Sequence, residues 1–497
     1  MTLLLLLPVL LLGLALLAGL LVLAKSSVTF SRLRKQFPAP PFAFLIGHVS
    51  AYWGDEVHLF KTMQRFRATM GRRWLIKMMN EHALNLTDAE GVEAVMTSSK
   101  HITKGPLYDF LLPWLGRGLL TNFGGSWHHR RKLLTPAFHF KILDEFGPLL
   151  AQHSEQLVDD LRVVASGTEP LDVVEHVSKI TLGTICETAM GVNLHSCGEG
   201  DEYFAAVRTV GASVIYRMMR PWTWNDFVFG LTPHGREVTK CMNTLHRFTE
   251  KVIRERKSTQ DTKAATEPSP GGEVKLRKRR LAFLDMLLAA QKEDLTLSDV
   301  DIRNEVDTFM FEGHETTAMA ICWTLFALGN HPDIQERVRQ EVLGAGPAWQ
   351  DIVALPYLEQ VVKESLRLYP PVLYISRINE QGLDIGDKHV ESGVHLDMII
   401  YCLHRDPANF PDPERFDPER FAPGEDRGRH PFAYVPFSGG LRNCIGKRYA
   451  MMELKLMVAA VARAFSWRAR HSPEEIEFKP ELVLRASQGI QLYLTPL

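Results

Sequence analysis

The sequence predicts a mainly α-helical protein with small β-sheets, an α+β fold, preceded by one transmembrane helix. Apolar residues recur every three or four positions in residues 150–188 and 299–328, which is typical of helices that bury one face. Extended segments punctuated by turn residues, typical of strands, occupy residues 71–86, 378–400 and 482–494. Helices and strands do not alternate regularly, which disfavours a doubly wound nucleotide-binding fold.

The size and charge of the chain exclude several classes of protein. It has 497 residues, enough for a large buried core, with 57 Lys and Arg against 58 Asp and Glu and a formal charge of -1. This balance gives no sign of a polyanionic partner, so a nucleic-acid-binding protein is not expected. The six cysteines have no short regular spacing. Neither a disulfide framework nor a structural zinc site is therefore indicated, and a reducing compartment fits best.

The amino-terminal residues predict a membrane anchor and a linker. Residues 3–24 form a run of 22 residues without a charge, and a helix of that length covers about 33 Å, enough to cross a hydrocarbon core of roughly 30 Å. A cleaved signal peptide has a shorter apolar core behind a basic start, which this run lacks. The nearby basic residues all follow the run, at Lys25, Arg32, Arg34 and Lys35. By the positive-inside rule we predict a single-pass anchor at residues 1–24, a basic and proline-rich linker at 25–41 and a cytosolic domain at 42–497.

A second segment of biased composition interrupts the domain. Residues 257–280 contain prolines and glycines followed by a basic cluster, and we predict a surface linker there. The basic cluster could instead be a nuclear-localisation signal, but the hydrophobic anchor argues against this alternative.

The most informative residues surround Cys444. Residues 437–446 read FSGGLRNCIG, and a helix-like run follows at 447–464. Glycines permit a sharp turn and the close approach of a flat ligand, and the start of a helix supplies amide donors that stabilise a thiolate. A lone cysteine is more often a small buried apolar side chain. In this setting, however, Cys444 is a candidate ligand of an iron ion.

The spacing of Phe437, Gly440, Arg442, Cys444 and Gly446 resembles the haem-binding signature of the cytochrome P-450 monooxygenases. The resemblance implies the cytochrome P-450 fold and haem b, an iron protoporphyrin, as cofactor. It also implies that Cys444 is the iron ligand and that Phe437 and Arg442 contact the haem.

The same resemblance implies the partners and the location. Electrons would come from NADPH through a membrane-bound flavoprotein reductase, docked near Arg442, Lys447 and Arg448. No flavin or nicotinamide motif is evident in this chain. The domain would face the cytosol at the endoplasmic reticulum membrane, where a lipophilic small-molecule substrate could enter from the lipid bilayer.

Two further groups of residues match the family. Trp127 followed four positions later by Arg131 resembles the motif that binds the haem propionates, with Arg377 and Arg442 completing the clamp.

The other group is an ion-pair network. Glu364 and Arg367 share one face of a helix expected at residues 357–369. By resemblance, Arg420 is the third member of a buried Glu-Arg-Arg network beneath the haem. Arg415 is a rival for this place, but its distance from the cysteine loop suits the family less well.

A long helix is expected to carry the oxygen-binding side. Ser298 with Asp301 predicts its start and Gly329 its end. Within it, residues 309–317 combine a glycine with threonines, whose hydroxyls can bond carbonyls one turn earlier. We expect this segment to loosen the helix and admit dioxygen.

The residues of this segment also resemble the microsomal family-four fatty-acid hydroxylases. The resemblance implies that Glu315 and Thr316 deliver protons, with Glu315 replacing the usual Asp, and that Glu312 can form an ester with a haem methyl group. It implies ω-hydroxylation of medium- or long-chain fatty acids. Leu373 and Tyr374 depart from the Pro-Phe that is frequent in that group.

Other functions stay open at the level of sequence. The substrate could instead be a sterol, a hormone or a xenobiotic. A haem-thiolate isomerase or dehydratase would need no external electrons, although Thr316 argues against that class. A non-catalytic haem sensor would need neither a proton-delivery pair nor an apolar channel.

Overall fold

The computed structural model describes residues 2–193, 200–266, 283–293, 297–425 and 427–497. The α-helices are α1 (Thr2–Leu33), α2 (Glu56–Met70), α3 (Ala89–Met96), α4 (Leu112–Leu115), α5 (Gly124–Leu134), α6 (Phe140–Val164), α7 (Val173–Ile185), α8 (Gly200–Met218), α9 (Asp226–Leu231), α10 (Pro233–Thr266), α11 (Phe283–Glu293), α12 (Asp299–Gly329), α13 (Pro332–Leu343), α14 (Trp349–Val353), α15 (Pro356–Leu368), α16 (Ile400–Leu403) and α17 (Lys447–Ala464). The strands are β1 (Arg73–Met78), β2 (Glu81–Leu86), β3 (Leu171–Asp172), β4 (Tyr374–Ile378), β5 (Leu383–Ile385), β6 (Lys388–Val390), β7 (His395–Ile399), β8 (Phe465–Ala469), β9 (Phe478–Pro480), β10 (Leu484–Ala486) and β11 (Gln491–Pro496). The predicted class, mainly α with small sheets, is confirmed.

The amino-terminal helix is longer than the predicted anchor. Helix α1 continues to Leu33, so the first part of the predicted linker is helical. Among the described residues, Leu16–Leu33 is the one stretch long and apolar enough to cross a membrane. The end of α1 is attached to the domain: Phe30 is fully buried, and Ser26 Oγ lies 2.9 Å from His82 Nε2.

Two of the predicted segment boundaries are wrong. The helical pattern over residues 150–188 is divided between α6 and α7, because Gly167 adopts a φ of 74° and strand β3 follows it. Asp172 then begins α7 by accepting a hydrogen bond from the Val174 amide. In the segment predicted as a surface linker, α10 continues through Thr266, and residues 267–280 lie outside the described residues.

Helix α12 crosses the centre of the domain. Its start has the predicted capping box: Ser298 Oγ accepts from the Asp301 amide at 3.1 Å, and Asp301 Oδ2 accepts from the Ser298 amide at 3.0 Å. From Ile302 to Leu328 nearly every residue is buried, because neighbouring helices cover α12 on several sides. The helix therefore holds its side chains at fixed positions deep in the protein.

A four-stranded sheet packs beside the helices, with the strand order β1-β2-β7-β4. Strands β2 and β7 are parallel, and the two outer pairs are antiparallel. Leu84, Leu396 and Met398 belong to a hydrophobic cluster on one side of this sheet. Side chains on successive strand positions point to opposite faces, so the alternate residues of these strands are directed toward the helices.

Candidate active site

Cys444 lies on a tight loop directly before α17. The loop is closed by the Cys444 amide, which donates to the Phe437 carbonyl at 2.9 Å. Gly440 has a φ of 64°, and a Cβ atom there would lie 1.7 Å from the Met96 carbonyl oxygen. Only glycine fits this turn, which explains the glycine requirement of the motif.

The Cys444 side chain is exposed, and it lines a large cavity. Desolvation at the cavity wall, followed by the charge of Glu312, raises the pKa of the Cys444 thiol to about 11. The Gly446 amide, Arg131 and Lys447 act in the opposite direction. The thiol is therefore protonated at neutral pH unless a cation binds the sulfur.

The cavity has a volume of about 680 Å³, within the range of sites that bind small molecules. Its walls come from the cysteine loop, from α12 and from the four-stranded sheet. Much of its lining is apolar and includes Leu111, Val214, Phe311, Ala320, Leu373 and Leu482. An apolar space of this size beside an accessible cysteine suits a flat cofactor together with a lipophilic substrate.

Helix α12 presents Glu312 and Thr316 to the cavity. The Thr316 hydroxyl donates to the Glu312 carbonyl at 2.7 Å, and the Thr317 hydroxyl donates to the Gly313 carbonyl at 2.8 Å. The expected loosening of the helix is not found, since α12 is continuous from Asp299 to Gly329. The hydroxyl bonds add to the helical hydrogen bonds instead of replacing them.

Unlike Thr316, Glu315 does not line the cavity. It is 2% exposed, is absent from the cavity lining and forms an ion pair with Arg485, which also binds Glu481 at 3.0 Å. Burial opposes ionisation, but Arg485 and His314 outweigh it and lower the pKa of Glu315 to about 2. The predicted proton-delivery pair is thus divided in this structure, because Arg485 holds the ionised acid on another face of α12.

Three of the predicted cofactor-binding residues meet beside the cysteine loop. The Arg442 guanidinium lies 4.4 Å from the centre of the Trp127 ring and donates to the carbonyls of Ile102 and Leu119, at 2.9 Å each. Arg131 donates to the carbonyl and side-chain oxygens of Asn443, at 2.9 and 2.7 Å. Trp127, Arg131, Arg442 and Phe437 all line the cavity.

Arg377 stands one layer behind this group. It is 3% exposed, donates to the Ser376 carbonyl and does not line the main cavity. Burial, followed by repulsion from Arg377, lowers the pKa of Arg442 to about 9. The Arg442 side chain is directed inward, and Lys447 and Arg448, near which the reductase is predicted to dock, are exposed on the surface.

Lys104 is a site residue that the sequence reasoning missed. It lines the cavity, with its ammonium group 4.5 Å from the centre of the Tyr108 ring. Burial, followed by repulsion from Arg377 and Arg442, lowers its pKa well below the ordinary value. No local pattern in the sequence marks this lysine, because only the fold brings its loop to the cysteine loop.

These buried cations require an anion. The hydrogen bonds of Arg131 and Arg442 in the described chain go to carbonyl and amide oxygens, and Glu312 is the carboxylate whose charge acts on Lys104. Burial raises the pKa of Glu312. A ligand with two carboxylates would neutralise the cluster, which fits the propionates of a haem.

The predicted Glu-Arg-Arg network is also brought together. Arg367 Nε and Nη2 each donate to Glu364 at 2.7 Å, and both residues are fully buried. Arg420 Nε lies 3.5 Å from Glu364 Oε1. Arg415 contributes only its backbone carbonyl, which accepts from Arg367. Arg420 is therefore the third side chain of the network in this structure.

Comparisons with known proteins agree with this architecture. The family described as Cytochrome P450 matches residues 38–494. The chain is 40% identical over 486 residues to cytochrome P450 4c3 of Drosophila melanogaster, covering 94% of this chain and 91% of that protein. It is 40% identical over 460 residues to cytochrome P450 4V2 of Homo sapiens, covering 90% and 87%, and 38% identical over 481 residues to the same protein of Rattus norvegicus, covering 94% and 91%. The chain therefore belongs to the cytochrome P450 family, among relatives of family 4, and is a haem-iron monooxygenase.

Proposed function

We propose that this monooxygenase hydroxylates medium- or long-chain fatty acids at or near the terminal carbon. The observation that carries the proposal is the apolar cavity of about 680 Å³, which has Cys444 on one wall and Thr316 on another. An apolar chain gains free energy from burial in such a space, roughly 0.8 kcal/mol per CH₂ group. The resemblance of residues 309–317 to the family-four fatty-acid hydroxylases favours the same class of substrate, and the chain has relatives in family 4.

Cys444 is proposed as the ligand of the haem iron. When bound, a thiolate-ligated haem activates dioxygen and inserts one oxygen atom into a C–H bond of the substrate. Iron binding would displace the thiol proton, which the high pKa of Cys444 otherwise retains. The amide donors of the loop and the start of α17 favour the resulting thiolate.

The cations beside the loop are proposed to bind the propionates. Arg131 and Arg442, with Trp127, present donors to the cavity, and Lys104 adds an ammonium group. Arg377, which lies behind these residues, adds positive charge to the site. The Glu364, Arg367 and Arg420 network is proposed to hold the loops beneath the haem.

Thr316 is proposed to hold and pass a proton on the oxygen-binding side, because it lines the cavity together with Glu312, one helical turn away on α12. Glu315 would supply this proton only after its carboxylate leaves Arg485. Until then the ion pair keeps the acid ionised and away from the cavity.

Glu312 is proposed to form an ester with a haem methyl group during turnover. One methyl C–H bond breaks and a C–O bond to the Glu312 carboxyl forms; the O₂ and NADPH consumed in that turnover supply the oxidation, and both oxygen atoms of O₂ leave as water. The charge of the Glu312 carboxyl acts electrostatically on Cys444, Arg131 and Arg442. An ester would hold the haem rigidly and favour attack at the end of a chain. Acid denaturation tests this: haem should remain bound to wild-type protein after turnover and be released from Glu312→Gln. Complete extraction of haem from the turned-over wild type would contradict it.

We infer the electron donor and the cellular location of the protein from its exposed basic residues and from helix α1. The exposed Lys447 and Arg448 would dock an NADPH-dependent flavoprotein reductase through its acidic groups. Helix α1 would anchor the protein in the endoplasmic reticulum membrane in a single pass, and by the positive-inside rule the basic residues after the apolar run would keep the domain on the cytosolic side.

Product analysis tests the proposed function. The purified full-length protein is incubated with reductase, NADPH and a panel of medium and long fatty acids. The expected products are ω-hydroxylated, and their formation requires both reductase and NADPH. Internal hydroxylation, or no product from any fatty acid, would contradict the proposed regiochemistry and substrate. Product formation without reductase would favour the isomerase class.

A further inference from the structure

A polar row crosses the face of the four-stranded sheet that borders the cavity. Asn85 on β2 is paired with Asp397 on β7, and Asp397 is paired with Ser376 on β4. Paired residues on adjacent strands share one face of a sheet, and all three residues line the cavity. On the same wall, Ile76 and Ile399 are apolar. A buried sheet face is usually apolar throughout, so this row needs an explanation.

Asp397 is the centre of the row. It is 9% exposed, and the Ser376 hydroxyl donates to Asp397 Oδ1 at 2.6 Å. Tyr374 also lies against this carboxyl, and it lines the cavity with Tyr52. Burial raises the pKa of both tyrosines, and the charge of Asp397 raises it further. A carboxyl group offers about four lone-pair sites, so the contacts from Ser376 and Tyr374 leave capacity for a ligand.

The sheet wall offers no strong cation to a ligand. Among the described residues of β1, β2, β4 and β7 that line the cavity, none is Lys or Arg. His395 is the nearest basic group, and its Nε2 atom already lies 2.6 Å from Glu81 Oε2. Burial also raises the pKa of Asp397. The cations of the cavity are instead gathered beside the cysteine loop, at Lys104, Arg131 and Arg442.

We propose that Asp397, with Ser376 and Asn85, forms a subsite that hydrogen-bonds a hydroxyl-bearing head group of the lipid substrate. The class comprises long-chain alcohols, and carboxylic acids that share one proton with Asp397. This inference rests on the proposed function and names the head group that the same cavity recognises. A methyl ester lacks the hydroxyl donor, and a hydrocarbon lacks any polar group. Both therefore lose this hydrogen bond while keeping the apolar contacts of the chain.

Ligand binding to the full-length holoenzyme tests the subsite. Dodecanol, dodecanoic acid, methyl dodecanoate and dodecane are titrated, and dissociation constants are measured from the change in haem absorbance. For the wild type we expect the alcohol and the acid to bind roughly tenfold more tightly than the ester and the hydrocarbon, the effect of one hydrogen bond in a buried site. In Asp397→Leu the four ligands should bind within about twofold of each other by the same argument.

A matched control is Asp384→Asn, at an exposed position of strand β5, which should retain the wild-type preference. Equal binding of the alcohol and the methyl ester by the wild type would overturn the proposal, and so would an undiminished preference in Asp397→Leu. The wild-type series tests the subsite even if the leucine variant fails to bind haem. The position of hydroxylation, measured on the same ligands, tests the proposed function separately. Formation of ω-products without a head-group preference would refute the subsite alone. Formation of internal products with a head-group preference would refute the regiochemistry alone.

Discussion

Two groups of buried charges in this protein differ in how their charges are compensated. In the Glu364 network, each carboxylate oxygen accepts from Arg367, and the Asp417 amide also donates to Glu364 at 2.8 Å. In the cavity group, Lys104 and Arg442 repel each other, and among the described residues Glu312 is the one carboxylate whose charge offsets theirs. In the first group the Glu364 carboxylate is paired within the protein, whereas we propose that an anionic ligand pairs with the cations of the second group.

The two groups differ in what their charges do: one set stabilises the fold, and the other binds a ligand. A buried charge is tolerated when its partners are complete, and removal of one partner then destabilises the fold. A cluster of like charges destabilises the ligand-free fold, and the ligand relieves this cost when it binds. Substitutions in the two groups should therefore affect different measurements.

The largest effect is expected from Glu364→Ala. The substitution leaves Arg367, which is fully buried, without its carboxylate partner. We expect a loss of about 3–5 kcal/mol in the free energy of unfolding, or failure to accumulate folded protein. Urea unfolding followed by circular dichroism measures this loss. A loss below about 1 kcal/mol would show that the network is not a structural requirement.

A second prediction concerns Asp307, a buried acid on α12 whose pairing is incomplete. Thr249 donates to its Oδ1 atom at 2.5 Å, while His246 and Arg303 stay 3.8 Å from its Oδ2 atom. Burial raises the pKa of Asp307 from 3.8 to about 8. The folded protein therefore binds this proton more tightly than the unfolded chain, and the contribution to stability is lost as the pH rises toward about 8.

Asp307→Asn should remove this loss. We expect the variant to be more stable than the wild type above pH 8 by about 1–3 kcal/mol, with a shallower dependence of the unfolding free energy on pH. Urea midpoints measured across a pH series give both quantities. Parallel pH profiles for the two proteins would contradict the prediction.

Lys104→Met should affect haem binding more than folding. We expect haem affinity to fall by roughly tenfold, because one charged partner of the propionates is lost. The haem-free protein should unfold at the same or a higher urea concentration, because repulsion from Arg377 and Arg442 is relieved. Haem transfer to an acceptor protein measures the affinity, and the exposed Lys100→Met is the matched control. Equal loss of folding stability and haem affinity would show that Lys104 stabilises the fold instead of binding the propionates.

The smallest effect is expected for an exposed ion pair. Arg337 Nη1 lies 2.6 Å from Glu419 Oε1, but both side chains are more than half exposed. We expect Glu419→Gln, which removes the ion pair and leaves Arg337 over the Tyr357 ring, to change the free energy of unfolding by less than about 1 kcal/mol, because water and salt screen such pairs. A larger change in the urea midpoint would show that distance alone, without burial, determines the strength of these pairs.

The sequence predicts those site residues that lie on local motifs. The cysteine loop, the capping box of α12 and the pairing of Glu364 with Arg367 each depend on residues close together in the chain. The position of Thr316 on the cavity also follows from its place in the long helix.

Residues whose roles depend on distant partners were not predictable from local patterns. Lys104 reaches the cavity only because its loop packs against the cysteine loop, and Arg485 reaches Glu315 from a strand 170 residues along the chain. The polar row at Asp397 becomes visible only when the register of three strands is known. Long-range packing, which no local spacing encodes, determines all three.

The most direct test concerns the sulfur of Cys444. We expect the reduced, carbon-monoxide-bound wild type to have the red-shifted absorption band of a thiolate-ligated haem. Cys444→Ser should lose this band, and the matched control Cys241→Ser, at a partly exposed cysteine away from the cavity, should keep it. A thiolate spectrum that persists in Cys444→Ser, or a wild-type spectrum typical of histidine ligation, would contradict the proposal that Cys444 is the ligand of the haem iron.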